Sequence, residues 1–75
     1  MTISHFKKKK IALIGCGYWG TILTNNLIML GFNNLFIYDT NKKNCFILKK
    51  KFKKVIIVNS YDILLKDKSI DIFFF

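Results

Sequence analysis

The 75 residues predict an α/β fold in which a parallel sheet carries helices on both faces. Three observations point there. An uninterrupted apolar run, Ile11 to Ile14, is followed without a gap by Gly15, Cys16, Gly17, Tyr18, Trp19 and Gly20, a G-x-G-x-x-G pattern. Short runs of strand formers alternate with segments whose apolar residues recur every three or four positions, the order of strands joined by crossover helices. An acidic residue, Asp39, closes the second apolar run nineteen positions after Gly20.

Each element has its own reason. Ile11 to Ile14 suits a central parallel strand buried on both faces. From Tyr18 onward, Trp19, Ile22, Leu23, Leu27 and Leu30 fall on helical spacing and predict one buried stripe. Gly31 stands where a glycine ends a helix. Asn33 and Asn34 supply a turn, and Leu35 to Tyr38 form a second strand. Residues 41–51 read as a second helix, with Cys45, Leu48 and Phe52 toward the core and Lys42, Lys43, Lys49 and Lys50 toward solvent. Val55 to Val58, all β-branched, predict a third buried strand. Asn59 or Ser60 caps a short helix from about Tyr61 to Lys66, with Asp62 near its positive end. Asp67, Lys68 and Ser69 turn the chain into a fourth strand running from Ile70 to Phe75.

The glycine turn carries the functional signal. A tight turn between a buried strand and a helix lets backbone N–H groups approach a phosphate, and the helix N-terminus adds partial positive charge. Asp39 stands where a dinucleotide-binding unit places the carboxylate that holds the adenosine ribose hydroxyls. Its charge favours NAD, while Lys42 and Lys43 leave NADP possible. Capping of the next helix is the competing structural role for Asp39. The expected architecture is therefore a three-layer, Rossmann-like doubly wound parallel sheet, incomplete at about four strands in the order 3-2-1-4.

Composition narrows the classes. An apolar fraction of 52% argues for a folded chain, although at this length burial is limited and stability marginal. The net charge of +9 comes from 13 lysines against four aspartates, with no arginine. Nucleic-acid surfaces draw on arginine for bidentate contacts, so the charge reads as coding bias toward lysine, asparagine, isoleucine and phenylalanine, and no nucleic-acid partner is expected. Cys16, Cys45 and His5 make neither a metal-ligand spacing nor a disulfide framework, which points to a reducing cytoplasm. Cys45 is expected in the core. The basic stretch 1–9 reads as a solvated lead-in with an inert His5, and the apolar run behind it is too short for a signal peptide or a membrane span.

The string Ile14, Gly15, Cys16, Gly17, Tyr18, Trp19, Gly20, with Asn26 in the following helix, resembles the opening of the glucose-fructose oxidoreductase and inositol dehydrogenase family (Gfo/Idh/MocA). Asp39 matches that family's strand-end aspartate, and Ser60, Tyr61, Asp62, Leu65, Asp67, Ile70 and Asp71 resemble a later segment. The likeness runs from about Lys10 to Phe75. It implies an NAD(P)-dependent oxidoreductase acting on a sugar, cyclitol or nucleotide sugar, with Gly15, Gly17, Tyr18, Trp19, Gly20 and Asp39 on the cofactor.

The same resemblance implies what these residues lack. The family's catalytic lysine lies in a Glu-Lys-Pro motif beyond the fourth strand, and this chain has no proline. Residues 10–75 are thus expected to be a partial NAD(P)-binding domain cut within the fourth strand, inactive alone and without the catalytic domain. The apolar stretch at Phe73 to Phe75 would leave an exposed edge open to a missing C-terminal half or a partner chain. Two other readings fit the same residues. One is a non-catalytic dinucleotide-binding or partner-docking module using that edge. The other is a methyltransferase fragment whose glycine turn meets S-adenosylmethionine.

Overall fold

A computed structural model describes residues 8–75. The apolar run forms β1 (Lys10–Ile14), and Ile11, Ala12 and Leu13 are each at most 1% exposed. A strand so covered must have neighbours on both edges and layers on both faces. β2 (Asn34–Tyr38) lies parallel on one side, in register from Lys10 opposite Asn34 to Ile14 opposite Tyr38. β4 (Ile72–Phe74) lies parallel on the other, with Ile11, Ala12 and Leu13 opposite Ile72, Phe73 and Phe74. β3 (Ile56–Ile57) pairs with the far side of β2, so the strand order is β3-β2-β1-β4. The expected Rossmann-like, doubly wound arrangement of four parallel strands is observed.

Helices α1 (Tyr18–Met29) and α2 (Lys42–Lys51) cover one face. Strand residues pointing there, Ile11, Leu13, Leu35 and Ile37, pack with Leu27 of α1 and with Cys45 and Leu48 of α2 into one core. Ala12 faces the opposite side and is fully buried, as is Leu64 of α3 (Tyr61–Lys66). Tyr61 at the start of α3 stacks on Tyr38 at the end of β2, ring centroids 5.5 Å apart. Right-handed crossovers require this division, because reversing direction along the sheet after β3 sends the next helix to the other face.

Termini follow local chemistry. α1 ends in a Schellman motif: Gly31, at φ +97°, donates its N–H to the Ile28 carbonyl, and the Phe32 N–H bonds the Leu27 carbonyl. The Asn41 side chain caps α2 through the Lys43 N–H, and the Ser60 hydroxyl caps α3 through the Ile63 N–H. Asp62 forms an exposed i,i+4 pair with Lys66, of a kind that contributes little to stability.

Several expectations need correction. The buried stripe of α1 is Gly20, Thr24 and Leu27, with Leu23 and Ile28 partly covered, while Trp19, Ile22 and Leu30 are exposed. The helix leaves β1 through a tight turn and must lie close to it, so small residues take the contact face. Lys49 is half-buried and donates to the carbonyls of Lys53 and Val55, satisfying orphan acceptors beyond the end of α2. The third strand shrinks to Ile56–Ile57, and Ile56 is 46% exposed because β3 is an edge. The fourth begins only at Ile72, since Asp71 pairs with Lys10 through both its N–H and its carboxylate. His5 and Lys7 of the expected lead-in lie outside the described residues.

Candidate functional site

The carboxyl ends of β1 and β2 meet at one corner, where open α/β sheets place their ligands. Parallel pairing brings Ile14 beside Tyr38, and the chain turns immediately after both. Gly15 donates its N–H to the Tyr38 carbonyl at 2.7 Å. The turn thus starts as a continuation of the β1–β2 ladder.

The three glycines of the turn stand in three different circumstances. Gly15 adopts φ +107°, a backbone conformation that side chains disfavour. Gly20 lies on the buried face of α1, and a Cβ there would overlap the Gly15 carbonyl. Gly17 has an ordinary φ of −73°, and a Cβ built on it meets nothing within 4 Å. The fold explains the first and the third. It gives no internal reason for Gly17, whose missing side chain leaves backbone open to the outside.

α1 begins directly after Gly17 with no side-chain cap and no acidic residue in its first turn. Its leading N–H groups keep their partial positive charge uncompensated by any carboxylate on that turn. Tyr18 and Trp19 flank this end and are 86% and 67% exposed.

Asp39 ties the corner together. Its Oδ2 accepts the Cys16 N–H at 2.8 Å and the Asn44 amide at 3.2 Å, while Oδ1 accepts the Asn41 N–H at 2.8 Å. Burial pushes the Asp39 carboxyl up, but the hydrogen bonds from Cys16, Asn41, Asn44 and Thr40 outweigh it and hold the group below its ordinary value. Asp39 does not cap α2, because Asn41 does. Its carboxylate instead links the glycine turn to the β2–α2 loop.

A shallow cleft of about 50 Å³ opens beside it at the ends of β2 and β3, lined by Tyr38, Asp39, Thr40, Lys42, Cys45 and the segment 57–59. Lys42 reaches this cleft, in keeping with its proximity to Asp39 in sequence. Beneath the turn, Cys16 and Cys45 are free thiols, both buried, with sulfurs 3.9 Å apart. Burial, then Cys45 and the Asp39 charge, push the Cys16 thiol well above its usual range.

The structure brings Gly15, Gly17, Gly20 and Asp39 to one corner, with Tyr18 and Trp19 on its rim. Sequence reasoning missed the direct bond from the Cys16 N–H to Asp39, and the roles of Thr40 and Asn44. Asn41 two residues after Asp39 was the available signal, since an aspartate commonly accepts the N–H two positions on. Among the described residues no cluster of three His, Cys, Asp or Glu groups could hold a metal ion, and no helix is long and apolar enough to cross a membrane. The chain matches no family model, no curated protein and no solved structure.

Proposed function

We propose that this corner binds the adenosine and pyrophosphate part of a dinucleotide, NAD in preference to NADP. The observation that carries the reading is the division of labour among the glycines: one forms the turn, one permits close helix packing, and Gly17 opens the backbone to a ligand. Pyrophosphate would lie against the Gly17 backbone and the uncapped start of α1. Asp39 would take the ribose hydroxyls, exchanging a side-chain donor such as Thr40 or Asn44 while keeping the Cys16 N–H. Its negative charge disfavours a 2′-phosphate, and Lys42 at the cleft weakens that preference without reversing it.

The resemblance to the Gfo/Idh/MocA family supports a place for this unit in an oxidoreductase of sugars, cyclitols or nucleotide sugars. There the bound nicotinamide supplies hydride transfer. The residues at this corner would hold the cofactor and take no part in the hydride transfer. A cytoplasmic setting accords with the two free thiols.

Calorimetry with NAD, NADP and S-adenosylmethionine tests the reading. NAD is expected to bind the parent chain. Gly17→Val is expected to weaken binding by tenfold or more while leaving the melting temperature nearly unchanged, whereas Gly20→Ala loses about 2 kcal/mol of stability through overpacking. Equal NAD affinity in Gly17→Val and the parent would move the site elsewhere, and binding of S-adenosylmethionine alone would replace the dinucleotide reading with the methyltransferase one.

β4 favours a second use of the molecule. Among the described residues it is an outer strand of the sheet, and Phe73 within it stacks with Phe75 just beyond it, centroids 6.1 Å apart. An open apolar edge of this kind accepts a strand from a partner chain.

A further inference from the structure

The buried pair Cys16 and Cys45 belongs neither to the phosphate contact nor to the ribose contact. Cys16 sits between the first two glycines, and Cys45 sits in the first turns of α2. Their sulfurs lie 3.9 Å apart, and Cys16 Sγ also lies 3.7 Å from the Tyr38 carbonyl. Although Cys45 is only 2% exposed, it lines the cleft beside Asp39. A small polar molecule entering that cleft therefore meets one thiol, with the second directly behind it.

The geometry points to a dithiol site for a small peroxide, in which Cys45 reacts first and Cys16 resolves it to a disulfide joining the glycine turn to α2. The steps balance. The Cys45 sulfur, having given up its proton, attacks one oxygen of hydrogen peroxide. The O–O bond breaks, and the departing hydroxide takes that proton as water, leaving a sulfenic acid. The Cys16 sulfur then attacks Cys45 Sγ, the S–O bond breaks, and the hydroxyl leaves with the Cys16 proton as a second water. Two thiols are oxidised and one peroxide is reduced. Dithiol reagents restore the pair by exchange.

Closing the gap from 3.9 Å to a bond of about 2 Å must move the turn, α2 or both. Movement of the turn disturbs the Cys16 N–H that Asp39 accepts, and movement of α2 disturbs the Asn44 amide that it also accepts. The disulfide is therefore coupled to whatever the corner binds. A ligand in the cleft covers Cys45, and by reciprocity the disulfide weakens that ligand. The coupling rests on the proposed dinucleotide reading, while the dithiol site itself does not.

The test treats the reduced full chain with hydrogen peroxide, folded and in denaturant, and follows intact mass and cross-linked peptides. The folded chain is expected to lose two hydrogens, yield a Cys16–Cys45 peptide and return to the dithiol with dithiothreitol. C45S is expected to leave Cys16 unreacted at peroxide levels that oxidise the parent. Because the parent alone is compared folded and unfolded, the result does not depend on the variant folding. Stepwise oxygen addition without a cross-link, or oxidation only in denaturant, would overturn the site. Saturating NAD is then expected to slow the folded chain's oxidation about tenfold, within the usual range of coupling between sites. A cross-link that forms and reverses in a chain that binds no NAD would refute the dinucleotide reading and leave the dithiol site standing.

Discussion

β1 has two neighbours, and they are held very differently. Toward β2 it pairs over five positions, and the contact continues past the strand ends through the Gly15 N–H to Tyr38 and through Asp39 to Cys16. Toward β4 it pairs over three, with the supporting polar contacts at the opposite end, where Lys10 meets Asp71 and Ser69. The ladder to β2 is thus locked at its carboxyl end, beside the proposed dinucleotide site, and that to β4 at its amino end. The outer edge of β4 is left with apolar side chains and backbone groups that another strand could pair.

Leu13 tests how far the two sides share one core. It lies between Ile37 and Phe74 in register and is 1% exposed. Leu13→Ala is expected to cost about 3 kcal/mol, a large share of the stability of so small a domain, read by chemical denaturation. A loss below about 1 kcal/mol would mean that β4 and β2 are stabilised separately.

The corner has a smaller but more specific signature. Asp39→Asn keeps one acceptor and places an amide donor against donors already present, so about 1–2 kcal/mol is expected to be lost. The Asp39 carboxyl is held below its ordinary value of 3.8. The stability it contributes is therefore present above that value and disappears as pH falls through the lowered folded-state value. Asp39→Asn should flatten this acid limb. An unaltered acid limb in the variant would assign the pH sensitivity to other carboxylates.

The β4 edge should respond least in stability and most in association. Phe73→Thr on this half-buried edge strand is expected to cost at most about 1 kcal/mol while reducing concentration-dependent self-association in sedimentation. A stability loss matching that of Leu13→Ala would show that Phe73 is core, and the comparison of the two sides would then fail.

Much of the fold was legible because apolar runs and glycines act locally. Ile11 to Ile14, the glycine turn and Asp39 mark the first strand, the helix start and the end of the second strand, and the strand order is that of the Rossmann-type unit which this pattern announces. The contact face of α1 was not legible. Its apolar residues suggested Trp19, Ile22 and Leu30, but the face against the sheet uses Gly20 and Thr24. Hydrophobicity misleads where closeness of approach, set by the turn, selects for small volume. The short β3 and β4 were likewise overestimated, since apolar composition does not reveal where a ladder runs out of partners.

By itself the sequence determined the α/β class, the place of the turn and the residue types available there: three glycines leading into a helix, and one aspartate. These are local properties of backbone freedom and charge. Tertiary structure alone decided that the Cys16 N–H meets Asp39, that Gly17 opens outward while Gly20 packs inward, and that two cysteines 29 positions apart share a core. Such contacts exist only once parallel pairing sets Ile14 beside Tyr38, because register brings together groups that the chain holds far apart.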